Sequence, residues 1–197
     1  MESAWDRFLT KNAGKLLIEF RRDPKIKDKI TGFIDSHSDS FILLHHFDWD
    51  PFILHGYTII RDEDIVAYRL FSRSSYWQTR AIQKFHIYPT PAKKISLKNW
   101  SEIMFGILQH FPLVTIHREI ASPDVCHIGV PVQITAKTLV LDALDSTCEW
   151  AGTRRFKLDS ITRVDFGGGY ETALAATAKK RTRKSTVNPK KYNETDP

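Results

Sequence analysis

A pair of motifs that recurs at almost one spacing constrains the fold more than any other feature of this chain. Thr31-Gly32-Phe33-Ile34, followed by Phe41-Ile42-Leu43-Leu44, returns as Ile128-Gly129-Val130-Pro131, followed by Thr138-Leu139-Val140-Leu141, with the two glycines 97 residues apart. Ile60-Arg61-Asp62-Glu63-Asp64-Ile65 returns 96 residues later as Phe156-Lys157-Leu158-Asp159-Ser160-Ile161, each time an apolar residue, a base, and an isoleucine four positions beyond the base. Self-similarity at one offset points to a supersecondary unit used twice. A fold proposed for one half therefore has to suit the other.

Each half reads as a helix followed by short strands. In the first, Ser3 is placed to cap a helix whose Trp5, Phe8 and Leu9 fall at helical spacing, and Asn12-Ala13-Gly14 offers a stop. The period then changes. Residues 15–20, 29–35, 41–47, 53–60 and 65–71 are β-branched and aromatic runs separated by turn-forming Asp-Pro, Ser-Asp-Ser and Asp-Trp-Asp-Pro stretches. In the second half Ser96 is the expected cap of a helix carrying Trp100, Ile103, Met104 and Ile107. Strands are expected at 113–119, 125–134, 138–144, 154–158 and 161–166. Short strands at this spacing favour a small closed or half-closed barrel, which also disposes of exposed edges. The expected architecture is mainly β with α: a barrel with its helix over 1–71, a linker over 72–95, a second barrel with its helix over 96–170, and a tail over 171–197. The aromatics of 72–92, Tyr76, Trp77 and Phe85 among them, could stack on bases, but the expectation is that they fill the interface between the two domains. Gly32 and Gly129 would let the backbone bend or be closely approached, as barrel corners require.

A helix followed by five bent strands, with glycine in the second and an Ile-Arg-x-x-x-Ile ending, resembles the Sm and Sm-like (LSm) proteins, here as a tandem pair of small SH3-like barrels. The likeness covers most of 3–71 and again of 97–166. It is carried best by Gly56-Tyr57-Thr58-Ile59-Ile60-Arg61, although Asp62 stands where the family has glycine. In the loop where the family meets a base, this chain has Ser38-Asp39-Ser40, and the second half has Thr135-Ala136-Lys137. The resemblance implies RNA binding through Asp39 and Arg61, with Lys157 as the partner position in the second half. From the residues themselves, Arg61 beside Asp62, Glu63 and Asp64 reads as a neutralised turn in preference to a ligand, because an Arg shared with acids is a poorer phosphate ligand.

Charge bears on the same question. Of the formal net charge of +6, the last 27 residues supply +4, from seven Lys or Arg (Lys179, Lys180, Arg181, Arg183, Lys184, Lys190 and Lys191) against three acids. Residues 171–180 are Ala-rich and suit a short helix. From Arg181 onward there is almost nothing apolar to offset the entropy of ordering, so a disordered basic tail is expected. Such a tail gives salt-sensitive, sequence-blind affinity for a polyanion.

Sites for chemistry are sparse. His45 and His46 are adjacent in a strand and point to opposite faces. His117 and Glu119 form an HxE pair, and His55 with Asp48 or Asp50 has no further ligand at a metal-site spacing. No Gly-x-Ser-x-Gly turn is present, and Gly167-Gly168-Gly169 lacks the Lys-Ser or Lys-Thr of a phosphate loop, reading instead as a hinge. The expectation is a non-enzyme without metal or cofactor. It binds RNA or another nucleic acid through basic surface and tail (Lys179, Lys180, Arg181, Arg183, Lys184), or else serves as a protein adaptor that pairs through strand edges. No apolar run is long enough to cross a bilayer, the N-terminal residues lack a signal-peptide plan, and two isolated cysteines suit a reducing compartment. A cytoplasmic protein with no membrane contact is expected.

Overall fold

The structure, a computed structural model, describes residues 3–73, 76–181 and Val187. The chain divides into two compact units, Met1–Ala92 and Lys93–Pro197.

Unit 1 opens with α1 (Ala4–Asn12). Ser3 caps it with a complete capping box: its hydroxyl accepts from the Asp6 amide, and the Asp6 carboxylate accepts from the Ser3 amide. There follow β1 (Leu17–Arg22), β2 (Ile26–His37), β3 (Phe41–Asp48) and β4 (Ile53–Arg61). A 3₁₀ turn (Asp62–Asp64), β5 (Ala67–Leu70) and α2 (Trp77–Lys84) complete the unit. Unit 2 repeats the order with α3 (Trp100–Leu108), β6 (Val114–His117), β7 (Cys126–Ile134), β8 (Thr138–Leu144), β9 (Trp150–Lys157), a 3₁₀ turn (Leu158–Ser160), β10 (Arg163–Phe166) and α4 (Gly169–Thr177). The cap of α3 is Asn99, whose side chain accepts from the Glu102 amide, and not Ser96. Gly168 caps α4, so the triple glycine leads into a helix.

The expected pair of closed five-stranded barrels is not what forms. The strands form open antiparallel sheet, in the order β5-β1-β2-β3-β4 in unit 1 and β10-β6-β7-β8-β9 in unit 2, with β5 at an edge of the first and β9 at an edge of the second. The physical reason lies in the alternation along β1. Ile18 and Phe20 point into a core shared with Ile34, Leu44 and the α1 residues Leu9 and Phe8. Leu17, on the other face, joins Phe33, Phe47, Phe71 and the α2 residue Ile82. A sheet that buries apolar side chains on both faces is covered by helices, not rolled around a single interior. The β9 edge is protected by charge instead of closure.

Two bulges recur between the units at one offset. The β2–β3 register breaks at a bulge between Ile34 and Ser36, and β7–β8 breaks between Pro131 and Gln133, 97 positions on. The β3–β4 and β8–β9 bulges, between His45 and Phe47 and between Asp142 and Leu144, keep the same offset. Gly32 and Gly129 each sit against a facing carbonyl. A Cβ there would stand 2.5 Å from the His45 oxygen and 2.1 Å from the Asp142 oxygen. Only glycine permits so close an approach of two strands.

Candidate functional site

The β2–β3 turn and the end of β4 are drawn together by the fold. Ser38 closes the turn, its amide donating to the Phe41 carbonyl (2.8 Å), and the Asp62 amide donates to the Ser40 carbonyl (2.9 Å). Asp39, exposed at the tip, and Arg61 are thus brought to one end of unit 1. The guanidinium of Arg61 is directed into its own turn. Nε and Nη2 meet the two Asp64 oxygens at 2.7 and 2.9 Å, and Nη1 meets Glu63 at 2.9 Å. The Asp64 side chain is 1% exposed. Asp62 accepts from the Trp5 indole at 2.7 Å, which ties the turn to α1. In unit 2 the Leu158 amide donates to the Lys137 carbonyl, the same geometry, but Lys157 is exposed and in register with Thr138.

Two of the histidines singled out in the sequence, His117 and His45, have defined partners. His117, on β6, meets Asp165 at 2.8 Å, and Arg163 bridges Asp165 (3.2 Å) and the buried Glu119 (3.1 Å), which also accepts from the Thr162 hydroxyl. Cys126 is the register partner of His117. Cys126 is exposed at the start of β7, and partial burial first, then the negative charge of Asp165, pushes its thiol up from the ordinary value. Among the described residues no cluster of three His, Cys, Asp or Glu could hold a metal ion. His45 is in register with Tyr57, not His55, and stacks on that ring at 4.7 Å. It borders a cavity of about 310 Å³ with Asp35 and the Pro89-Thr90-Pro91 segment, and its Nδ1 accepts from the Thr90 amide at 3.3 Å.

Burial holds the pKa of His45 below the ordinary 6.5, against a smaller opposing pull from Asp35, and His127 is lowered in the same direction, first by burial. A histidine kept neutral in the fold but free to charge when unfolded stabilises fully above about pH 6.5 and loses that contribution as pH falls through the folded value. The wild-type melting temperature is therefore expected to fall between pH 7 and pH 5 more steeply than that of His45→Gln. Equal slopes would remove His45 from this role.

The cations of unit 2 gather around its edge strand. From residue 150 to 158 there are three bases and no acid, and Arg154, Arg155 and Lys157 are all exposed on β9 without an ion pair among the described residues. Arg154 and Arg155 escape motif reading, although the acid-free run was visible. The Trp150 indole donates to the Lys179 carbonyl at 2.8 Å, anchoring the run Lys179-Lys180-Arg181 at the start of this strand. Lys179 meets Glu149 at 2.7 Å, and Arg181 lies 3.9 Å from Asp142. The three cations rim a cavity of about 500 Å³ walled by Phe105, Phe111, Val130 and Trp150, into which Val187 is also packed. Arg183 and Lys184 lie outside the described residues. No helix among those residues is long and apolar enough to cross a membrane.

No family model, no curated protein and no solved structure matches this chain.

Proposed function

We propose that the chain is a non-catalytic nucleic-acid-binding protein built by duplication of one helix-and-strand unit, with unit 2 as the main polyanion surface. The observation that carries this reading is a cationic edge without an ion pair among the described residues: Arg154, Arg155 and Lys157 are exposed on β9, next to the anchored Lys179-Lys180-Arg181 run. Side chains of this kind neutralise phosphates and release counterions. They also discourage strand-to-strand pairing at the same edge, which favours a polyanion over an adaptor that adds strands. The shared element order, bulges and glycines support the duplication. Arg61 is a brace in this reading, since its donors already serve Glu63 and Asp64.

The test is a titration of labelled single-stranded RNA across salt concentrations. Replacing Arg154, Arg155 and Lys157 together by Ala is expected to flatten the slope of log affinity against log salt by about 2. A companion variant with Arg183 and Lys184 replaced measures the share of the tail. RNA affinity and slope unchanged by the β9 variant would overturn the assignment.

A further inference from the structure

Unit 1 carries a surface that the cationic edge of unit 2 does not explain. Trp77, Phe85 and Tyr88 are 56%, 64% and 64% exposed, although Tyr76, Ile82 and Ile87 of the same segment pack into the core. Tyr76, Ile82 and Ile87 thus serve the core of unit 1 itself. Phe52, at the β3–β4 turn, joins the exposed rings to the interior: it stacks on Trp77 (centroids 5.9 Å, 25°) and meets Phe85 and Phe47 edge-on at 6.1 and 5.1 Å. Phe52 and His86, the residue after Phe85, both hold left-handed backbone, at φ 57° and 52°. Bulky residues pay for that conformation only where the surroundings enforce it, and such strain concentrates at functional surfaces.

The charge around these rings has one dominant sign. Residues 65–101 hold seven Lys or Arg and no Asp or Glu, and four of the bases, Arg69, Arg73, Arg80 and Lys84, belong to unit 1. On α2, Arg80 and Lys84 follow Trp77 at three and seven residues, so ring and cations share one helix face. Arg69 lies over the rings of Phe71 and Tyr76 at 5.2 and 5.3 Å. The turn that supplies Phe52 adds Asp48 and Asp50, the first of which accepts the amide of the second.

From this we propose that the Phe52-Trp77-Phe85 platform, with Lys84 and Arg80 beside it, binds single-stranded nucleic acid by stacking unpaired bases on its rings while the cations hold the phosphates. Aromatic faces interleaved with cations are the arrangement that takes a strand without regard to sequence. A duplex hides its base faces and gains nothing from exposed indoles. The proposal rests on the reading of the chain as a nucleic-acid binder, and adds both a second surface and a preference for single strands.

The experiment compares full-length wild type, Trp77→Ala, Phe85→Ala and the β9 triple variant, using a labelled single-stranded RNA and its duplex. Both rings are exposed, so unchanged melting temperatures are expected. Each ring variant should weaken single-strand binding about tenfold, leave duplex binding within twofold, and leave the salt slope unchanged. The β9 variant should weaken both ligands. If the ring variants bind single strands like wild type, or lose both ligands equally, the platform is overturned while the reading of unit 2 stands. If wild type binds neither RNA, both fall. Altered sedimentation of Trp77→Ala with unchanged RNA binding would show a self-association face, and would also overturn the proposal.

Discussion

Gly129→Ala should unfold at markedly lower denaturant than wild type, with a loss of about 3 kcal/mol and an unchanged m value. The new Cβ would stand 2.1 Å from the Asp142 carbonyl oxygen and 2.9 Å from the Ala143 Cα, both backbone atoms that cannot rotate away. Relief requires β7 and β8 to separate, which costs ladder hydrogen bonds and the packing of Val130 and Leu144 in the core beside them. Gly32→Ala, with a gap of 2.5 Å to the His45 oxygen, should behave alike and lose somewhat less. Gly14→Ala is the informative control. That glycine has φ +66° but nothing within 4 Å, so only the left-handed backbone is penalised, at about 1 kcal/mol. Equal losses at Gly14 and Gly129 would show that backbone conformation, not the approach of the facing strand, makes glycine necessary in β7.

Asp64→Ala should destabilise unit 1 by about 3 kcal/mol, measured by the same denaturation. Its carboxylate is almost fully buried and binds Arg61 through both oxygens. Removing it takes two charge-assisted hydrogen bonds from a largely buried guanidinium. The double variant Arg61→Met with Asp64→Leu should recover much of the loss, because a buried pair is often replaceable by apolar groups of similar size. Arg61→Met alone should lower stability yet leave RNA affinity within twofold. The opposite pattern, intact stability with weakened RNA binding, would make Arg61 a ligand, as the Sm-like resemblance implies, and not a brace.

Much of the local structure was legible because it depends on neighbours in the chain. Ser3 with Asp6 three residues later specifies a capping box wherever the helix lies. The offset of 97 between Gly32 and Gly129 carried over to the bulges at Ile34 and Pro131, because a bulge position follows from which residues can tolerate the bend. Ser96 failed as a cap because two candidate oxygens lay near the same helix start. Asn99, one residue before Trp100, has the geometry to reach the Glu102 amide, while the Ser96 hydroxyl donates to the Glu102 carboxylate. The candidate sites were only half legible. Lys157 and Lys179 to Arg181 were visible as charges, but their gathering along one edge depends on the Trp150 indole reaching the Lys179 carbonyl, 29 residues away.

The chain itself determined the order of helices and strands, the glycines at 32 and 129, and that one pattern is used twice, since these follow from backbone sterics and from the periods of apolar side chains along each segment. Whether the strands would close was decided only in three dimensions. Leu17 and Ile18 are equally apolar in sequence, and it is the helix waiting on each side of the sheet that gives both of them a core and leaves the edges open. The same holds for exposure. Ile82 and Trp77 belong to one short helix, and the sheet beneath it has room for the first but not the second.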